Sequence, residues 1–153
     1  MTYTEPRRVL IIDDNPDDAE LTARALRRCP VPSVVCVAGD PLTGLGWLTG
    51  TLPPPASLDR LPALVLLDIK MPRLDGFELL RRLRQHPRTH AVPVVLLTSS
   101  NEERDVVDGY DAGANAFVTK PITSEQFLEA VQALGRFWLG HNRVPRDGDG
   151  GLR

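Results

Sequence analysis

Hydrophobic and polar positions alternate along this chain in blocks: a short apolar run, a polar break, then a stretch with apolar residues at helical spacing. The longest block, Ala63–Gly76, reads ALVLLDIKMPRLDG, an apolar run that ends in Asp68 and is followed by a Met71-Pro72 break and an Asp75-Gly76 turn. A run that is uniformly hydrophobic rather than alternating suits a central strand of a parallel sheet, covered on both faces. Arg8–Asp13 (RVLIID) is a second such run ending in acid. Behind it, Asn15 as N-cap and Pro16 in the first turn mark a helix start, and residues 16–28 carry one apolar stripe among Asp, Glu and Arg. Ser33–Ala38 is short and β-branched, a third strand signal, and Asp40-Pro41 opens a helix that runs to about Gly50. The segment 51–62, TLPPPASLDRLP, cannot continue a helix through three prolines and predicts a long, extended surface loop.

After Gly76, Phe77, Leu79, Leu80 and Leu83 recur at helical spacing, with Arg81, Arg82, Arg84 and Arg88 on the outer face, a charge run expected to be solvated. Pro93–Leu97 predicts a strand ending at Thr98-Ser99-Ser100. Residues 102–112 predict a helix closed by Gly113, and Asn115–Val118 a short last strand leading to Thr119-Lys120-Pro121. Thr123 and Ser124, with Glu125 and Gln126, cap a final helix whose Phe127, Leu128, Val131, Leu134 and Trp138 share a face. From His141 onward the chain is nearly devoid of apolar residues. The expected organisation is therefore one domain over 1–140 and a disordered polar tail over 141–153, with nothing after Leu139 able to form an output domain. Five successive βα units joined by right-handed crossovers require an α/β fold, a doubly wound parallel sheet with helices on both faces.

The totals agree with a single domain: 153 residues are enough for one core without crosslinks. A net charge of -2 offers no global attraction to nucleic acid or to an anionic membrane. Cys29 and Cys36 have neither metal spacing nor a disulfide framework and are expected to be reduced thiols. No apolar run approaches the ~18–20 residues that span a bilayer, and no signal peptide is visible, so a cytoplasmic protein is expected.

The strand ends carry the candidate chemistry. Asp13 and Asp14 follow the first strand, Asp68 the third, Thr98 the fourth and Lys120 the fifth, all at the edge where open α/β sheets bind ligands. Each residue alone could be a helix cap, a strand end or a surface charge; together they form one constellation. Three carboxylates in one place repel unless a cation intervenes, and hard oxygen ligands with an incomplete shell suit Mg²⁺. A carboxylate facing a divalent cation, a hydroxyl and an ammonium is arranged to become an acyl phosphate: Asp68 attacks phosphorus, Lys120 neutralises the equatorial oxygens and Thr98 bonds one of them. No Gly-rich nucleotide loop is present, so the donor is not expected to be bound ATP.

The segments IIDD, LLDIKMPRLDG, LLTSS and GANAFVTKP, in that order and spacing, resemble the receiver domain of two-component response regulators over about residues 7–139. The resemblance implies the strand order 2-1-3-4-5, Asp68 as phosphoacceptor, and a Mg²⁺ site formed by Asp13, Asp14, Asp68 and the backbone carbonyl of Lys70. It further implies Thr98 as the switch hydroxyl, Lys120 as the phosphate-binding lysine, Phe117 as the rotating aromatic and a cis Lys120-Pro121 bond. Phe117 stands where many members have Tyr, which removes one hydrogen bond from the switch. The proline-bearing insertion, the GYDAGANAFVTKPI stretch and a last helix ending Phe137-Trp138-Leu139 are similar to the single-domain regulators that partner bacterial phytochromes. This narrower resemblance implies a phytochrome-type histidine kinase as phosphodonor in a phosphorelay; the first helix, beside the acid site, is its expected docking surface, because the phosphohistidine must reach Asp68.

Tyr110, Phe137, Trp138 and Leu139 exceed what the core of that face needs and predict a homodimer through the fourth helix, fifth strand and fifth helix. Two other functions compete. A haloacid-dehalogenase-like phosphatase places its nucleophile after the first strand with a second Asp two residues on, a pattern that Asp13-Asp14-Asn15 breaks. A scaffold that has lost phosphorylation needs no intact acid site.

Overall fold

Strand and helix alternate along the whole of the described chain, residues 5–121 and 123–145 of a computed structural model. In order these are β1 (Arg7–Ile12), α1 (Pro16–Arg27), β2 (Ser33–Ala38), α2 (Pro41–Thr49), β3 (Leu64–Leu67), α3 (Gly76–Gln85), β4 (Val94–Thr98), α4 (Glu103–Ala112), β5 (Ala116–Thr119) and α5 (Ser124–Gly135). All strand pairs are parallel and the sheet order is β2-β1-β3-β4-β5. This is the expected doubly wound topology. It reverses direction between β1 and β3, which opens a crevice at their carboxyl ends.

Alternation along each strand divides the core in two. Leu10, Ile12, Val65, Leu67, Val94 and Leu96 face the layer of α2, α3 and α4, whereas Val9, Ile11, Leu64, Leu66, Val95 and Leu97 face α1 and α5. Both layers are fully closed over β3, whose four residues are all buried. The apolar run at Ala63–Leu67 is continuous for that reason.

Four of the five α-helices start on a side-chain cap; α4, which follows Glu102, does not. Asn15 Oδ1 accepts from the amides of Asp17 and Asp18, Asp40 caps α2 through Thr43, Asp75 caps α3 through Glu78, and Thr123 caps α5 through Gln126. Gly50 and Gly113 end α2 and α4 in the left-handed conformation, at φ 85° and 110°.

Several sequence expectations are corrected. Leu139, expected on a dimer surface, is 4% exposed and belongs to the α1/α5 core layer. The reason is local: α5 widens into a π-helical turn over Arg136–His141, closed by the Asn142 amide on the Phe137 carbonyl, and this rotates Leu139 inward while Phe137 stays out. The proline segment is only partly a surface loop, because a 3₁₀ turn at Ala56–Leu58 drops Leu58 and then Leu61 into the other layer. The Lys120-Pro121 bond is trans, the isomer that remains lower in energy even before proline. Of the polar tail, residues 141–145 lie against the domain, with Val144 packed on the core and the Asn142 carbonyl accepting from Arg7 at 2.7 Å; residues 146–153 lie outside the described residues.

Candidate functional site

Asp13 and Asp68 each sit one residue beyond a strand, side by side because β1 and β3 are paired in register. The Asp68 amide donates to the Ile12 carbonyl at 3.1 Å, so the ladder runs up to the acid itself. Behind Asp68 the chain turns into α3 through Gly76, whose amide donates to the Ile69 carbonyl at 2.7 Å. A Cβ at Gly76 would run into the Asp68 carbonyl oxygen and approach Ile69 Cα to 2.9 Å, so only glycine lets α3 start this close to the acid. Asp68 Oδ1 accepts from the Ile69 amide at 2.8 Å; among the described residues nothing donates to Oδ2.

Asp13 is the buried member of the group, 4% exposed, while Asp68 is half-buried and Asp14 is exposed. Carboxylate oxygens of Asp13, Asp14 and Asp68 all lie within 4.8 Å of one another. Asp13 Oδ1 accepts from the Asn15 amide at 2.9 Å and Oδ2 accepts from Lys120 Nζ at 3.2 Å. Burial pushes the Asp13 carboxyl above its ordinary value; the Asn15 amide and Lys120 oppose this and the nearby Asp68 charge adds to it. Burial also pulls on Lys120, in the opposite direction, but the charges of Asp13, Asp68 and Asp18 outweigh it and hold the ammonium above its ordinary value.

Thr98 ends β4, is 1% exposed, and accepts from the Ser100 amide at 3.4 Å, a long and weak bond. Its carbonyl accepts from the Lys120 amide at 2.6 Å, which fixes β5 against β4 at the site. Phe117 is half-buried in β5 and packs toward α4, where Gly109 leaves the room: a Cβ there would lie 2.7 Å from Leu96 Cδ1 and 3.2 Å from Phe117 Cδ2. Lys70 is exposed on the loop after Asp68.

The acid pair, Asp68, Thr98 and Lys120 thus share one edge. Tyr110, Phe137 and Trp138 do not belong to it. Tyr110 and Phe137 are about half exposed, at 51% and 49%, on α4 and after α5, and Phe137 meets Trp138 edge to face at 5.0 Å. Trp138 itself is half-buried against the core. Sequence reasoning missed Asp18, whose Oδ2 lies 3.2 Å from Lys120 Nζ. It missed Asp105 as well, which accepts a very short hydrogen bond from the Ser100 hydroxyl and so ties the loop after Thr98 to α4. A cleft of about 560 Å³ between α1 and α5 runs from Asp18 and Lys120 past Leu21, Arg24, Phe127 and Leu128.

This geometry coincides with a match to the response regulator receiver domain over residues 9–132. The chain belongs to that family. Response regulator Rcp1 of Synechocystis sp. is 30% identical to this receiver over 92% of the chain and 94% of its own length. A structure of Mn²⁺-bound Rcp1 overlays with a TM-score of 0.81 at 28% identity, covering 92% of this chain and 99% of that one. The phosphorylated cyanobacterial phytochrome response regulator RcpA gives a TM-score of 0.83 at 28% identity over the same shares. The bacteriophytochrome response regulator AtBRR is 43% identical, with a TM-score of 0.70 over 92% of this chain and 100% of its own. The receiver is thus a signalling module of two-component type, homologous to phytochrome response regulators, and its family implies a histidine kinase as partner. Among its described residues no helix is long and apolar enough to cross a membrane.

Proposed function

We propose that the receiver takes a phosphoryl group onto Asp68 from the phosphohistidine of a histidine kinase of the bacterial phytochrome type. The observation that carries this reading is the clustering of Asp13, Asp14 and Asp68 at one sheet edge, with oxygens within 4.8 Å of one another and Asp13 paired to the ammonium of Lys120. Asp68 Oδ2, to which no described residue donates, forms the bond to phosphorus as the phosphorus–nitrogen bond breaks. The imidazole leaves neutral, keeping the proton on its other ring nitrogen. Oδ1 stays held by the Ile69 amide, so the carboxylate attacks from a fixed orientation.

The donor set is all oxygen, anionic and partly exposed, which fits Mg²⁺. Asp13, Asp14, Asp68 and the Lys70 carbonyl would hold it, and when bound it supplies positive charge against the phosphoryl oxygens. Lys120 neutralises a further oxygen. The Thr98 hydroxyl, weakly held by Ser100, turns toward the phosphoryl group, and Phe117 moves into the space that Thr98 leaves. Ser100 is bonded to Asp105 and accepts from Thr119 through its carbonyl at 3.2 Å, so that movement is passed to α4 and β5.

The kinase docks along α1, which borders both the acid site and the α1/α5 cleft. Tyr110 and Phe137 extend the α4-β5-α5 side as an apolar surface, on which we place a homodimer. Similarity to RcpA and AtBRR supports the phytochrome assignment. Label transfer from an autophosphorylated bacterial phytochrome kinase tests the reading: wild type takes the label within seconds to minutes and Asp68→Asn takes none. Equal labelling of the two, or slow transfer no better than from an unrelated kinase, contradicts it.

A further inference from the structure

Lys120 must reach a phosphoryl group on Asp68, yet its ammonium points elsewhere. The side chain is 12% exposed and forms two ion pairs of 3.2 Å, one to Asp13 and one to Asp18, and none to Asp68. An ammonium has three hydrogens, and two are directed at carboxylates that lie on the α1 side of the pocket. Asp13 is immobilised by burial and by the Asn15 amide. Asp18 differs: it is 42% exposed, sits in the first turn of α1 and lines the mouth of the α1/α5 cleft.

Asp18 is not needed where it stands for the helix itself. The cap is made by Asn15, and Asp17 already places a carboxylate in the first turn. Of these two adjacent acids only Asp18 pairs with Lys120; Asp17 has no ion pair among the described residues.

We propose that Asp18 is a positioning residue that holds the Lys120 ammonium back from Asp68 in the unphosphorylated receiver and yields it as the phosphoryl group arrives. The proposal rests on Asp68 being the acceptor. Transfer then includes the cost of opening an ion pair exposed on its Asp18 side, and removing that pair speeds the step.

The test is phosphorylation by phosphoramidate with Mg²⁺, following initial rate against donor concentration for wild type, Asp18→Asn, Asp18→Glu, Asp17→Asn and Asp68→Asn. Asp18→Asn is expected to raise the limiting rate about two- to fivefold, the range set by a pair exposed on one side. Asp18→Glu, which can remake the pair, is expected to stay near wild type. Asp17→Asn removes the same charge without touching Lys120 and is expected to shift only the half-saturating donor concentration. Without donor, the ¹⁵N resonance of the Lys120 ammonium should move in Asp18→Asn and not in Asp17→Asn. A limiting rate for Asp18→Asn at or below wild type, or an equal rise in Asp17→Asn, overturns the restraint while leaving the acceptor in place. Wild type that gains no phosphoryl group, or an Asp68→Asn variant that gains one, overturns both.

Discussion

Burial, helped by the nearby Asp68 charge, holds the Asp13 carboxyl above its ordinary value in the folded state, against the opposing Asn15 amide and Lys120 ammonium. Because the folded pKa lies above the ordinary value of 3.8, this group favours folding fully only below that value, and the advantage is lost as pH rises through the folded pKa. Asp13→Asn keeps the shape and removes the charge. In EDTA at neutral pH we expect it to melt above wild type, with the gap narrowing as pH is lowered toward 4. Adding Mg²⁺ should raise the melting temperature of wild type and move the variant less. The residues of the acid site could be read from the sequence because each follows an apolar run, and a run of that kind can end only at the sheet edge. Asp18 could not be read in this way: in the sequence it is the twin of Asp17, a first-turn acid, and only the helix phase set by packing aims one of the two at Lys120. The inward turn of Leu139 was equally hidden, because it depends on a change of helix pitch that no residue type announces.

The elements were legible where local chemistry and burial agree. β2 lies where its β-branched run does, and α1, α2 and α5 are capped by the residues expected, whereas Asp75, read only as part of a turn, caps α3. The proline segment was read only in part, since prolines exclude a helix without telling where Leu58 and Leu61 will land. Two junctions hold the elements in place around the site. At Gly76 an added methyl would push α3 off the Asp68 loop; Gly76→Ala should cost about 1–3 kcal/mol, seen as a lower urea midpoint, and should slow phosphorylation. Arg84 belongs to the arginine run expected to be solvated, yet its guanidinium donates to the carbonyls of Gly113, His90 and Val92 and to Asn115 Oδ1, joining α3 to the turns flanking β4 and β5. Arg84→Ala leaves several of these acceptors unpaired and should cost about 2 kcal/mol or more by the same measurement, whereas its neighbour Arg81, exposed and paired only with Glu78, should tolerate Ala within about 0.5 kcal/mol.

At the scale of the molecule, one edge of the sheet gathers the acids and the α4-β5-α5 side carries exposed Tyr110 and, beyond α5, Phe137. If that surface joins two copies, Tyr110→Ala or Phe137→Ala should weaken dimerisation about tenfold or more without lowering stability, since neither side chain is in the core. Trp138→Ala should lower both. Sedimentation velocity over a range of concentrations checks this, and a monomeric wild type contradicts it. Topology was legible at this scale because five βα units with one crossover hand leave few alternatives; what covers Tyr110 and Phe137 was not, because exposed aromatics do not name their partner. The central claim, that folding builds a phosphoacceptor at Asp68, is tested most directly by the intact mass of the protein after acetyl phosphate and Mg²⁺, with the modified peptide then located. The account predicts one added phosphoryl group, on the peptide containing Asp68, lost on chelation of Mg²⁺ before the reaction and absent from Asp68→Asn. An unmodified wild type, or a phosphoryl group carried by any other residue, would contradict it.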